Sequence, residues 1–181
     1  MQTRQLQQII GAEQIAIAIE KMVDDIVVSK PKLKRLVLVG IMSKGYELAQ
    51  RMKGFFQLKS DMQINVYPLD ITFYRDDLMQ KGSMLQMMEV EPLPNLEGET
   101  VILVDDVLYE GRTMRAALSS LMDYGRLGKL ECAVLIDRGH RKMPIQAHFV
   151  GFYVETRLQD YIRLRLLERD GVDEILLETQ G

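Results

Sequence analysis

The sequence predicts an α/β protein with a mostly parallel central sheet flanked by helices and a small C-terminal β-rich addition. Short apolar runs, typical of strands buried on both faces, alternate with amphipathic helical segments. After residue 145 the alternation stops, and strand-like segments follow one another with no helix between them. The chain has 181 residues, 47% of them hydrophobic, so a single domain over 1–181 can bury a core of its own.

The first half of the chain predicts two helices and two strands. Residues 13–28 form a helix whose apolar side chains share one face, namely Ile15, Ile19, Met22, Val23 and Ile26. The run RLVLVGI, residues 35–41, predicts a strand buried on both faces. Residues 44–56 predict a second helix, and residues 64–74 a second strand. Pro68 lacks an N–H and therefore favours an edge position or a bulge for that strand.

A long irregular segment follows at residues 75–99. It is rich in Met, Glu and Pro and has no steady hydrophobic period. Because a connection of this length inside a compact domain is usually functional or mobile, we expect a mobile loop there.

The second half predicts a strand at 100–107, a helix at 113–125 with Gly125 as its stop, and a strand at 129–139. Residues 161–166 alternate apolar and polar side chains, as in a half-exposed antiparallel strand. A turn and a last strand complete an addition that we expect to span about 146–181.

Composition excludes several classes of protein. The net charge of −3 does not indicate a nucleic-acid binder, although a local basic face remains compatible with it. No apolar run approaches the roughly 18 residues of a membrane span, and the first residues lack the pattern of a secretory signal. The single cysteine, Cys132, lies in an apolar run and favours a buried thiol in a reducing, cytoplasmic compartment.

The stretch VILVDDVLYEGRT, residues 101–113, contains the best candidates for ligand-binding residues. Asp105 and Asp106 end an apolar strand, where ligands bind to open parallel sheets. Gly111 permits a sharp turn, the next helix offers unpaired N–H groups to an anion, and Arg112 and Thr113 add a charge and a hydroxyl. Taken alone, the two aspartates could simply end a strand and cap a helix. The order of apolar strand, two aspartates, Gly-Arg-Thr and helix instead suits a ligand with vicinal hydroxyls and a phosphate, such as a phosphorylated ribose. The carboxylates would bind the hydroxyls directly or through Mg²⁺.

This stretch resembles the phosphoribosyl-pyrophosphate (PRPP) loop of type I phosphoribosyltransferases. More narrowly, the chain resembles the PyrR family of pyrimidine-operon attenuators, which are also uracil phosphoribosyltransferases. Four further stretches carry the resemblance in order: LVGIMSKG (38–45), LDITFYRDDL (69–78), GRLGKLECAVLIDRGHRKMPI (125–145) and VGFYVETR (150–157). It covers residues 13–178 and implies the type I phosphoribosyltransferase fold.

The resemblance also implies roles for individual residues. Asp105 and Asp106 would act as the catalytic acidic pair, holding the ribose hydroxyls and, through them, Mg²⁺. The 5′-phosphate would bind the phosphate turn, which consists of Tyr109, Glu110, Gly111, Arg112 and Thr113. Pyrophosphate would bind the pyrophosphate loop at residues 42–45, which includes Ser43, Lys44 and Gly45. Arg75 would reach pyrophosphate from the mobile loop, although without the resemblance it belongs to an ordinary solvated charge run.

The implied reaction joins uracil to PRPP and gives UMP and pyrophosphate with the help of Mg²⁺. The implied second role is binding of an mRNA stem-loop with UMP as signal, for which Arg138, His140 and Arg141 are the candidate contacts. The alternative is ordinary surface charge for the two arginines and a solvent-facing turn residue for His140. The resemblance further implies a homodimer or a higher homo-oligomer.

Several ligand-facing positions depart from the family pattern. Glu110 replaces a usual threonine, and two unit charges about 4 Å apart repel by roughly 1–4 kcal/mol unless the side chain turns away. Met42 and Lys44 replace a usual lysine and a usual arginine in the pyrophosphate loop. Near the base-binding side, the departures are Phe152, Glu155 and Arg157.

These departures leave two alternatives to a uracil phosphoribosyltransferase. One is a catalytically weak or inactive paralogue that acts as a nucleotide-sensing regulatory or binding module. The other is a transferase for a base other than uracil, because the altered 152–157 segment could reshape the base pocket.

Overall fold

The computed structural model describes residues 4–72 and 92–180. The elements in chain order are β1 (Arg4–Gly11), α1 (Ala12–Ser29), β2 (Arg35–Ile41), α2 (Lys44–Lys59), β3 (Gln63–Leu69), β4 (Thr100–Leu108), α3 (Arg112–Leu121), β5 (Lys129–Asp137), β6 (Phe149–Tyr153), β7 (Tyr161–Arg165), α4 (Leu167–Asp170) and β8 (Glu174–Gln180).

A five-stranded sheet in the order β3-β2-β4-β5-β6 forms the centre of the fold, and its neighbouring strands are parallel. The apolar run of β4 occupies the middle position, where a strand is buried on both faces and therefore carries apolar side chains on both. β3 lies at the edge, as Pro68 predicted, and ends at Leu69 rather than continuing through residue 72. The fold class predicted from the sequence is confirmed.

Alternate side chains of the same strands enter two separate cores. Leu38, Val104 and Leu135 pack against α1 and α2 on one face of the sheet. On the other face, Val39 and Leu103 pack against α3. Burial on both faces explains why these strands appear in the sequence as continuous apolar runs.

The helices follow the predicted hydrophobic spacing. The five residues predicted to form the apolar face of α1 are all at most 3% exposed: Ile15, Ile19, Met22, Val23 and Ile26. α3 ends at Leu121, and a single 3₁₀ turn, Met122–Tyr124, leads to Gly125, whose φ of 113° is open to glycine. Across 4–72 and 92–180, no helix has both the length and the apolar character needed to span a membrane.

A second, antiparallel sheet in the order β1-β8-β7 joins the two ends of the described chain. Leu164, Leu166 and Ile175 are at most 2% exposed and pack into the core that also contains α1 and α2. The composition of this sheet differs from the expected C-terminal addition. β1 takes part in it, whereas β6 pairs in parallel with β5 in the central sheet.

The end of the long connection before β4 is anchored to the core. Leu93 and Leu96 are 7% and 1% exposed, and the Leu96 N–H donates to the Tyr124 carbonyl oxygen at 2.7 Å. The remainder of the predicted mobile loop, including Arg75, lies outside the described residues.

Candidate functional site

Asp105 and Asp106 lie at the carboxyl end of β4, the middle strand of the central sheet. Asp105 is 6% exposed, and its Oδ1 accepts a hydrogen bond from the Asp106 N–H at 2.9 Å. The Asp106 Oδ1 accepts from the Val107 N–H at 2.8 Å. One oxygen of each carboxylate therefore accepts a backbone hydrogen bond that fixes the orientation of the side chain.

The phosphate turn connects these acids to α3. Gly111 adopts the left-handed conformation with φ of 93°, and the first residue of α3 is Arg112. The first N–H groups of a helix have no partner within the helix and can donate hydrogen bonds to an anion. A cavity of about 180 Å³ is lined by Asp105 and by residues 107–114, so it borders one acid of the pair and the whole turn.

Glu110 lies in this turn with both carboxylate oxygens paired. Oε1 is 2.6 Å from the Lys142 Nζ, and Oε2 accepts a hydrogen bond from the Arg112 Nε at 2.9 Å. These contacts, that of Lys142 first and then that of Arg112, hold the pKa of the Glu110 carboxyl below its usual range. The carboxylate therefore faces two cations, and the repulsion calculated for an isolated charge does not describe this site.

The pyrophosphate loop packs directly against the acidic strand. A Cβ on Gly45 would lie 2.5 Å from the Val104 carbonyl oxygen and 3.1 Å from the Asp105 Cα, so only glycine allows this approach. The Met42 N–H donates to the Leu69 carbonyl oxygen at 2.9 Å. The structure thus brings Gly45 of the pyrophosphate loop next to Asp105.

The Lys44 side chain takes a different direction from the one expected. Its ammonium donates to the Leu164 carbonyl oxygen and lies 3.8 Å from Asp170 Oδ2. Both partners belong to the β7–α4 region, so this side chain joins the pyrophosphate loop to the small sheet.

The three candidate RNA contacts point into the protein. Arg138 is 6% exposed, its guanidinium lies 4.1 Å from the Tyr109 ring centroid, and its Nε donates to the Thr156 Oγ1 at 3.1 Å. His140 has its Nε2 2.7 Å from the Thr156 carbonyl oxygen. The Arg141 guanidinium donates to the Tyr109 carbonyl oxygen at 2.9 Å and also pairs with Asp137. These side chains connect the phosphate turn to residues 152–157 and do not form an exposed basic surface.

A larger cavity of about 770 Å³ lies beside these contacts. It is lined by Asp137–Gly139 and Arg141, by residues 143–146 and by residues 153–155. Glu155, one of the positions that departs from the family pattern, borders it. Arg157, another such position, donates its backbone N–H to Asp160 Oδ2 at 2.8 Å and forms an ion pair with the same carboxylate.

Two contacts of the site could not be found from the sequence. Lys142 reaches Glu110 from a different loop, and Arg138 stacks on Tyr109 from the same loop as Lys142. The basic run after β5 indicated that this loop is charged, but the direction of its side chains, toward the phosphate turn, depends on tertiary structure.

The described residues contain no cluster of three or more His, Cys, Asp or Glu side chains able to hold a metal ion. Two adjacent carboxylates do fit a Mg²⁺ ion that takes its ligands from water and a phosphorylated substrate, because they can accept hydrogen bonds from the substrate hydroxyls. Asp105 and Asp106 are the residues that would hold it, through the substrate hydroxyls.

Comparison with known proteins identifies the family. Residues 5–160 match the phosphoribosyl transferase domain. The bifunctional protein PyrR of Chloroflexus aurantiacus is 44% identical over 170 residues, which cover 94% of this chain and 93% of the relative. The bifunctional protein PyrR of Thermus aquaticus is 40% identical over 175 residues, covering 96% and 97%.

Solved structures agree on the fold. The chain superposes on HGPRT-ase from Leishmania tarentolae in complex with GMP with a TM-score of 0.72 and 13% identity, covering 97% of this chain and 98% of that one. For a hypoxanthine-guanine phosphoribosyltransferase from Bacillus anthracis, the TM-score is 0.69 at 16% identity, with 98% and 100% covered. The chain therefore belongs to the phosphoribosyl transferase domain family and, within it, to the PyrR family.

Proposed function

We propose that this chain transfers the ribose 5-phosphate group of PRPP to uracil, giving UMP and pyrophosphate. The observation that best supports this is the cavity lined by both Asp105 and the phosphate turn at the end of the middle strand. Its lining combines the Asp105 carboxylate, which suits hydroxyl groups, with a helix N-terminus for a phosphate, and a phosphorylated ribose requires both.

The substrate lies across the two loops that meet at Asp105. The ribose hydroxyls donate hydrogen bonds to Asp105 and Asp106, and the 5′-phosphate occupies the phosphate turn. The pyrophosphate group lies at the backbone of residues 42–45, which Gly45 brings against β4. Arg75 would close on the pyrophosphate, a role that rests on the family resemblance because Arg75 is outside the described residues.

The reaction needs no covalent intermediate on the protein. The bond from the ribose C1′ to a pyrophosphate oxygen breaks, and its electron pair leaves with pyrophosphate. A new bond forms between C1′ and N1 of uracil, and the N1 proton is released. The chain's residues contribute by holding both reactants in line, and bound Mg²⁺ supplies charge neutralisation of the departing pyrophosphate.

The base is placed beside Tyr109, toward the cavity of about 770 Å³ that residues 153–155 border. Arg138 stacks on the Tyr109 ring and binds Thr156, so it fixes the wall between the phosphate turn and that cavity. A turnover assay with a panel of bases determines whether Glu155 and its neighbours leave uracil as the preferred base.

The experiment that tests the proposal is calorimetric titration with PRPP and Mg²⁺, followed by a uracil turnover assay. We expect micromolar PRPP binding and turnover to UMP. Asp105→Asn should lower kcat/KM at least tenfold, because a hydrogen bond to a charged group contributes about 1.5–3 kcal/mol. Asp61→Asn, at an exposed position before β3 and far along the strands from the site, is the matched control.

A folded wild-type protein that binds no PRPP would overturn the proposal. Unchanged uracil turnover in Asp105→Asn would overturn the role of the acidic pair. The inactive-paralogue alternative rests on Glu110 and on the departures at 42–44 and 152–157, and the pairing of the Glu110 carboxylate with Lys142 and Arg112 weakens the first of these grounds.

We also propose a second role, binding of an mRNA stem-loop in response to UMP. One observation favours a link between the two roles. Arg141 donates to the Tyr109 carbonyl oxygen, so the 138–141 segment bonds directly to the phosphate turn that UMP would occupy. A mobility-shift assay with a pyrimidine-operon leader RNA tests this role, and an affinity that UMP does not change would contradict it.

A homodimer or higher homo-oligomer stays a prediction, which light scattering on the purified chain tests.

A further inference from the structure

Lys142 is attached to the phosphate turn by two separate contacts. Its ammonium lies 2.6 Å from Glu110 Oε1, and its backbone N–H donates to the Glu110 carbonyl oxygen at 3.0 Å. The backbone hydrogen bond fixes the position of the Lys142 Cα beside the turn, and the side chain then extends along the turn to the Glu110 carboxylate. Its side chain is 59% exposed, so the ammonium keeps access to solvent and to a ligand.

The Glu110 carboxylate joins this lysine to the arginine of the turn. Oε2 accepts from the Arg112 Nε at 2.9 Å, and the Glu110 side chain is only 18% exposed. The three groups are therefore one cluster of two cations and one anion, with a net charge of +1. The cluster borders the cavity of about 180 Å³, since Glu110 and Arg112 both line it.

A carboxylate between two cations occupies the place that an oxyanion ligand would take. A phosphate monoester carries more negative charge than a carboxylate and presents three oxygens, so it competes well for the same donors. Release of Glu110 would free the Lys142 ammonium from its carboxylate partner for contact with the incoming phosphate. The anion in the turn is then a group that a ligand displaces, not a permanent barrier to binding.

We propose that Lys142 is the second cation of the 5′-phosphate site and that Glu110 is its internal counter-ion, released when the phosphate of PRPP or UMP binds. This inference rests on the function proposed above. It assigns a phosphate contact to a residue outside the phosphate turn, and it gives Glu110 a part in setting the affinity for phosphorylated ligands.

A different arrangement has to be separated from this one. Lys142 could remain on Glu110 in the bound state and act only by neutralising it. Removing Lys142 would then weaken phosphate binding in the natural chain, but it would have no effect once Glu110 is replaced by glutamine. If Lys142 itself contacts the phosphate, its removal weakens binding in both backgrounds.

The test is a double-mutant cycle with Lys142→Met, Glu110→Gln and both together, using calorimetric titration with UMP and with PRPP and Mg²⁺. We expect Lys142→Met to weaken binding about tenfold in both backgrounds, as the loss of a charged hydrogen bond predicts. Glu110→Gln should strengthen binding about threefold, because the competing carboxylate is gone. Lys32→Met, an exposed lysine in the turn before β2, is the control and should change nothing.

The possible failures are distinguishable. If Lys142→Met has no effect in the Glu110→Gln background, Lys142 does not contact the phosphate and the inference is overturned while the proposed function stands. Weaker binding by Glu110→Gln would overturn the counter-ion role. A wild-type protein that binds neither UMP nor PRPP would overturn the proposed function itself. Thermal unfolding of each variant verifies that it is folded.

Discussion

Cys132 lies in β5, 5% exposed, on the strand next to the acidic pair. Burial raises the pKa of its thiol to about 11, and the negative charge of Asp105 adds to the shift. Because the thiolate is the reactive form, we expect an aromatic disulfide reagent at pH 8 to modify the native chain at least a hundredfold more slowly than the urea-unfolded chain. Cys132→Ala gives the blank, and rapid stoichiometric modification of the folded protein would contradict the prediction.

The effect of the Glu110 charge on the phosphate turn depends on its neighbours in the fold as well as on its identity. Its charge could be recognised in the sequence, and so could Arg112 two positions later, but the partner on the other oxygen is Lys142. The backbone N–H of Lys142 bonds to the same residue, so the pairing depends on how the loop after β5 folds back. A repulsion argument from the sequence alone had no means of including that second cation.

α2 begins at the pyrophosphate loop and is held at its exposed face by the α4–β8 turn. Arg51 forms two-point contacts with two carboxylates of this region, at 2.6 and 2.8 Å to Glu168 and at 2.7 and 2.9 Å to Asp173. Near the start of the helix, Glu47 accepts from the Arg169 Nε at 2.6 Å. The small sheet thereby fixes the helix that positions residues 42–45.

We expect Arg51→Met to lower the free energy of unfolding by about 1–2 kcal/mol at pH 7, because two partly exposed carboxylates lose their shared cation. The hydrogen bonds from Arg51 hold the pKa values of Glu168 and Asp173 below their usual range. Their contribution is therefore present above the unfolded pKa values, near 4, and is lost as the pH falls through the lowered folded values.

Urea unfolding at pH 7 and at pH 3 measures this difference. The gap between wild type and Arg51→Met should shrink at the lower pH. Arg51→Lys is the matched control, since it keeps the charge but loses the planar fork, and it should lie between the two. An equal gap at both pH values would show that Arg51 acts through packing and not through its charge.

The architecture of the whole molecule was predictable where burial dominates the sequence. β2, β4 and β5 are apolar on both faces because helices cover both faces, and Pro68 correctly indicated an edge strand. β1 was missed because its glutamine-rich sequence, RQLQQIIG, has no clear alternation, and its pairing with β8 shifts register between Gln8 and Ile10.

The position of β6 shows a second limit. No helical pattern separates it from the following strand, so the sequence assigned it to the β-rich addition at 146–181. β6 is instead parallel to β5 in the central sheet, since residues 138–148 provide a connection long enough to return the chain without a helix. That connection carries Arg138, Arg141 and Lys142, whose contacts with the phosphate turn were the part of the site that the sequence could not supply.

The two sheets share one core, which predicts that they unfold together. Leu166, between β7 and α4, is fully buried in the cluster that contains α1 and α2, whereas the next residue, Leu167, is 62% exposed. Leu166→Ala should lower the free energy of unfolding by about 2–5 kcal/mol, and Leu167→Ala, the matched control, should change it by less than about 0.5 kcal/mol. Urea unfolding followed by far-UV circular dichroism and by tyrosine fluorescence measures both variants, and coincident transitions are expected in each. A separate early transition in Leu166→Ala would mean that the small sheet opens while the central sheet stays folded, and α2 would then lose its anchor without loss of the acidic strand.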